Sequence, residues 1–157
     1  MLQVLSGVAH CHAHGVVHGD LRPENVTVDH TTGALQLSEF DMASRMPPLD
    51  LDLHIGRPEN FLYYQAPELL HCDTANPAAS DIWSVGCIFA EMLLGAKVLF
   101  RDSKSEQIAT IFSSPNLPPE SLHLLQGMLA MNPDDRFSAV DCLFHSFFGR
   151  SLDGITH

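Results

Sequence analysis

A chain of 157 residues suffices for one domain whose core hides roughly two-thirds of the surface its unfolded form exposes. With 45% hydrophobic and only 17% charged residues, the composition excludes a disordered or fibrous chain. Nineteen acidic against eight basic side chains give a formal charge of -11, which argues against nucleic acid and anionic membrane surfaces as partners.

The elements follow in chain order. Leu2, Leu5, Val8, Ala9 and His12 recur at helical spacing, predicting an uncapped amphipathic helix that ends near Gly15. Val26 to Val28 and Ala34 to Leu37 are β-prone runs, predicting a hairpin closed by Gly33. A long connection rich in Pro, Asp and Gly then runs to Ala66, and connections of that length inside a compact domain are functional or disordered. Ser80 to Leu94 is apolar nearly all round, the pattern of a central buried helix stopped by Gly95; it carries Glu91 and is too short to be read as a membrane span. Ser105 to Phe112 and Glu120 to Met131 read as two further helices separated by a Pro-rich break, and Ser138 caps a last one. The expected architecture is mainly α, with one small hairpin near the start, in a single unit over residues 1–150 followed by a tail at 151–157. The cysteines Cys11, Cys72, Cys87 and Cys142 form no C-x-x-C pair and read as reduced thiols, which points to the cytoplasm or nucleus.

Five segments carry chemistry or architecture. His18-Gly19-Asp20-Leu21-Arg22-Pro23-Glu24-Asn25 sets an aspartate five residues before an asparagine. Glu39-Phe40-Asp41 follows the hairpin, Ala66-Pro67-Glu68 closes the long connection, and Asp81-Ile82-Trp83-Ser84-Val85-Gly86 opens the apolar helix. Arg136 ends the run Asn132-Pro133-Asp134-Asp135-Arg136. In this order and at about these intervals they resemble the C-terminal lobe of a eukaryotic protein kinase. Gly86 to Met92 and Tyr64 to Glu68 most resemble the cyclin-dependent and MAP kinase branch, whose members phosphorylate proteins on serine or threonine.

The resemblance implies roles. Asp20 would orient the acceptor hydroxyl, Arg22 would steady the γ-phosphate, and Asn25 with Glu39 would hold magnesium. Thr27 would lie under the adenine of ATP. Glu68, Asp81 and Arg136 would hold the lobe together, Glu68 and Arg136 as a buried ion pair. The implied cofactors are ATP and magnesium, and the implied partner is a protein substrate.

Several positions depart from the family pattern. Gly19 and Gln65 replace two arginines that would receive an activating phosphate, and Arg22 replaces a lysine. Glu39 stands for the magnesium-binding aspartate and adds a methylene in a demanding octahedral site, while Asp41 stands for the glycine of DFG. Thr27 puts a hydroxyl where the family has an apolar surface, and Phe61 replaces a threonine. The Gly-rich loop, strand lysine and helix glutamate of the N-terminal lobe have no counterpart within these residues. Weak or absent phosphoryl transfer is therefore expected, with a pseudokinase-type protein-binding module, or a fragment without function, as the alternative. His10 and His14 share a helical face at metal-ligand spacing, but half-buried packing is the favoured reading of that cluster.

Overall fold

The computed structural model describes residues 1–45, 61–70 and 76–149; the expected tail at 151–157, most of the long connection (46–60) and Cys72 lie outside them. Helix α1 (Leu2–Ala13) has no side-chain N-cap and buries Val4, Leu5 and Val8. The helix packs against the last one, α7 (Ala139–Leu143), and against the hairpin strand β3 (Leu35–Leu37). The chain then turns at Gly15 into β1 (Val16–Val17), which leads His18 and the following loop along the edge of the core.

The hairpin forms as expected. Strand β2 (Val26–Val28) pairs antiparallel with β3, Val26 opposite Leu37 and Val28 opposite Leu35. Its turn is tied by Asp29, whose Oδ1 accepts from the Thr31 amide at 2.8 Å and whose carbonyl accepts from Gly33 at 2.7 Å. The Thr32 hydroxyl, and then the Thr31 amide, hold the Asp29 carboxyl below its ordinary pKa. A second pairing was not foreseen. Strand β4 (Ser44–Arg45) returns to β1, with Val16 opposite Arg45 and Val17 opposite Ser44, and so ties the start of the long connection to the loop at Asp20.

Two short helices, α2 (Phe61–Tyr64) and α3 (Pro67–Leu70), lead to the central helix α4 (Pro77–Leu94). It starts three residues earlier than its apolar pattern suggests, because Asn76 accepts from the Ala79 amide and Pro77 occupies the first turn. From Ala79 to Ala90 the helix is buried almost without interruption, and Ile82, Trp83, Val85, Cys87, Ile88 and Phe89 form the centre of the core. Length and composition alone would let α4 cross a membrane, but 67% of it is buried inside the fold, so core packing accounts for its apolarity.

Helix α5 (Lys104–Phe112) is capped by Ser103, and α6 (Pro119–Met128) ends three residues before the predicted Met131. Gly86 permits the close approach of α4 and α6, since a Cβ there would sit 2.8 Å from Leu129 Cδ2. Helix α7 opens with a reciprocal capping box between Ser138 and Asp141. The observed architecture is mostly helical with short two-stranded pairings, as the sequence indicates.

Candidate active site

The loop between β1 and β2 is fixed by one carboxylate. Asp81, 1% exposed on α4, accepts from the His18 and Gly19 amides, each at 2.9 Å, and from His12 Nε2 at 2.9 Å. Three donors on a buried carboxylate satisfy its lone pairs and lock the loop backbone to the core. His12 therefore does more than pack: it supplies one arm of this anchor.

His18 adds a second tie. Its ring is buried, and Nε2–H donates to the Ser38 carbonyl at 2.9 Å while Nδ1 accepts from the Asp20 amide at 3.3 Å. These bonds require the neutral Nε2–H tautomer and join the Asp20 loop to the end of β3. Its ring also lies 4.6 Å from that of Phe40.

Asp20 and Asn25 are brought together by the single 3-10 turn Pro23–Asn25. Asn25 Nδ2–H donates to the Asp20 carbonyl at 2.7 Å, and both residues are buried. With its amide nitrogen so used, Asn25 presents Oδ1 as its acceptor, the hard oxygen that a magnesium ion takes. The Asp20 carboxylate faces Arg22, whose Nε lies 3.4 Å from Oδ1. Arg22 is thus ion-paired with the carboxylate expected to orient the acceptor. A void of about 20 Å³, enough for one water, lies beside Asp20 between Gly19, Tyr64, Gln65, Ser80 and Ser84.

Gly19 adopts φ 77°, in the left-handed region, and a Cβ there would lie 3.0 Å from the Met42 carbonyl oxygen. Glycine is the residue that accepts this geometry without strain.

Glu39 is exposed just after β3 and takes φ 58° and ψ 60°, the one left-handed non-glycine residue among those described. The left-handed conformation falls on Glu39, whereas Asp41 sits in the 3-10 turn Phe40–Met42, where any L residue fits. Thr27 is exposed on β2 and donates its hydroxyl to the Gln36 carbonyl at 3.3 Å, which ties the hydroxyl to the hairpin. Among the described residues no group of three His, Cys, Asp or Glu side chains converges on a metal position; the His10 and His14 rings lie 4.3 Å apart and tilted, with His14 Nδ1–H donating to the His10 carbonyl.

The architectural residues form a second cluster below the loop. Arg136 uses all five N–H groups: Nη1 and Nη2 reach Glu68 Oε1 and Oε2 at 2.5 and 2.7 Å, and the others reach the Ala79, Ala130 and Met131 carbonyls. Its guanidinium also lies 5.0 Å from the Trp83 ring, and Ser80 Oγ–H donates to Glu68 Oε1. This bidentate pair holds α3 against α4 and the turn before α7. Nearby, Tyr64 donates to Glu91 Oε2 at 2.6 Å, and burial followed by that carboxylate raises the phenol above its ordinary pKa. The bonding of His18 and the half-buried setting of Lys104 have no local sequence signal, because neither the ring's two partners nor the lysine's surroundings leave a pattern along the chain.

A family model for the protein kinase domain matches residues 1–148, and the chain belongs to that family. Its sequence is similar to those of cyclin-dependent kinases. Cyclin-dependent kinase B1-1 of Arabidopsis thaliana is 33% identical over 187 residues, covering 98% of this chain and 59% of that protein. Cyclin-dependent kinase C-2 C of the same plant is 30% identical over 182 residues, covering 94% of this chain and 28% of that protein. The chain thus spans less than two-thirds of the length of either relative.

Proposed function

We propose that this chain forms the catalytic-loop half of a serine/threonine protein kinase site whose phosphoryl transfer is attenuated by its own substitutions. The observation that carries the reading is the Asp20–Asn25 bond inside a loop anchored twice to Asp81, which His12 of α1 also holds. That anchoring holds a carboxylate and a hard oxygen ligand in fixed relation, which is what positioning catalysis requires.

In this reading the Asp20 carboxylate accepts a hydrogen bond from the protein substrate's hydroxyl and aims it. Asn25 Oδ1 and the exposed Glu39 carboxylate supply an all-oxygen donor set that suits magnesium. Magnesium-bound ATP would supply the phosphoryl group. Arg22 attenuates the site by pairing with Asp20 Oδ1 at 3.4 Å, which lowers the carboxylate's availability to a hydroxyl. Glu39 contributes a longer arm than aspartate and holds it on a strained backbone.

The test is transfer of labelled phosphate from ATP to serine- and threonine-containing peptides by the protein isolated from its source. Low transfer that Asp20→Ala abolishes, while the folded state persists, is the expected result. Transfer that survives Asp20→Ala refutes the assignment. The exposed Phe40 and Val28, 42% and 46% accessible beside the half-buried Val26 and Leu35, favour a second reading in which this surface holds a protein partner. Light scattering that shows a soluble monomer with no apolar-dye binding argues against it.

A further inference from the structure

Lys104 opens α5 in an unusual setting. Its Nζ donates to the Leu62 carbonyl at 2.6 Å and the Tyr63 carbonyl at 3.0 Å, at the end of α2. No carboxylate lies within ion-pair distance of it among the described residues. A neutral amine has two N–H groups and one lone pair, so the two carbonyl acceptors are served by the neutral form as well as by the charged one, and among the described residues no ion-paired carboxylate holds the ammonium charged. The Trp83 ring, with its centroid 5.9 Å from Nζ, gives a cation only weak compensation at that distance. The amine also borders an open cleft of about 370 Å³ lined by Leu62, Tyr63, Leu99, Arg101, Asp102 and Gln107, large enough for a short acyl group. Burial draws the Lys104 pKa down to about 8.

We propose that Lys104 is a site of acylation by small acyl thioesters, with its amine presented to the cleft beside α2. The lone pair adds to the thioester carbonyl, a C–N bond forms and the C–S bond breaks. One N–H proton goes to the departing thiolate, so the products are an amide and a thiol. The amide keeps one N–H, so one of the two α2 carbonyls loses its donor. Gln107 Nε2 still donates to Tyr63 at 2.9 Å, which leaves the Leu62 carbonyl as the group released. The inference is independent of phosphoryl transfer.

The chain contains one other lysine, the exposed Lys97, which serves as an internal standard. The intact protein is incubated with acetyl-coenzyme A at pH 7.5 without added enzyme. Cleavage before Asp102 then puts the two lysines on separate peptides for mass spectrometry. An amine of pKa near 8 carries about 200 times more free base at pH 7.5 than a lysine of ordinary pKa, although lower basicity and partial burial reduce the gain. Acetylation of Lys104 about tenfold or more faster than Lys97, lost in 6 M urea, is expected. Equal rates in the native protein, or a preference that persists in urea, overturn the proposal.

Discussion

Arg136→Ala tests the energetics of the fold most directly. The substitution strands Glu68, which is 8% exposed and keeps only the Ser80 hydroxyl, and removes donors from the Ala79, Ala130 and Met131 carbonyls. Breaking a buried pair by deleting one partner costs about 3 to 5 kcal/mol, because the remaining charge is stranded. A domain of this size is stable by only about 5 to 15 kcal/mol, so the loss takes a large share of the total. Urea unfolding followed by the fluorescence of the single, fully buried Trp83 measures it, with wild type and variant compared at the same slope. Glu68→Leu combined with Arg136→Met should cost less than the sum of the two single changes, since neither charge is then left alone. A loss below about 1 kcal/mol for Arg136→Ala, or strict additivity in the cycle, would refute the reasoning.

Gly19→Arg restores the family's residue but forces a side chain into φ 77° with a Cβ 3.0 Å from the Met42 carbonyl; a destabilisation of about 1 to 2 kcal/mol in urea is expected. Asp81→Asn removes a charged acceptor of three hydrogen bonds and should both destabilise the fold, by about 1 to 3 kcal/mol for each donor left unpaired, and expose the 16–25 loop to faster amide hydrogen exchange. Glu39→Asp shortens the arm at the proposed magnesium position and should raise phosphate transfer, read as incorporation into a peptide per unit time. The pH dependence separates by sign. Burial pushes the Cys87 and Cys142 thiols up to about 12, so above about pH 9 the unfolded chain releases protons that the fold retains, and stability falls. Lys104 acts oppositely: between about pH 8 and 10.5 the unfolded chain binds the extra proton, so this residue adds stability as pH rises. Lys104→Met should therefore lose stability more steeply than wild type across that window in pH-dependent urea titrations.

Elements whose signals are local are legible along the chain. The 3.6-residue period of Leu2, Leu5 and Val8, the Asp29 to Gly33 turn and the Ser138 to Asp141 capping box each act within a few residues, so they can be read along the chain. The order of Asp20, Asn25, Glu39, Glu68, Asp81 and Arg136 likewise carries the family resemblance without any geometry. Tertiary packing, by contrast, selects the carboxylate that anchors the Asp20 loop, turns Arg22 toward Asp20 and sets the left-handed residue after β3 at Glu39. The β1–β4 pairing and the carbonyl partners of Lys104 belong to the same class. Most depend on partners tens of residues apart, such as Gly19 and Asp81 or Leu62 and Lys104, and two-residue strands or a lone lysine carry no periodic signal. Packing brings those groups together, and the low dielectric of the core then sets their charge and bonding.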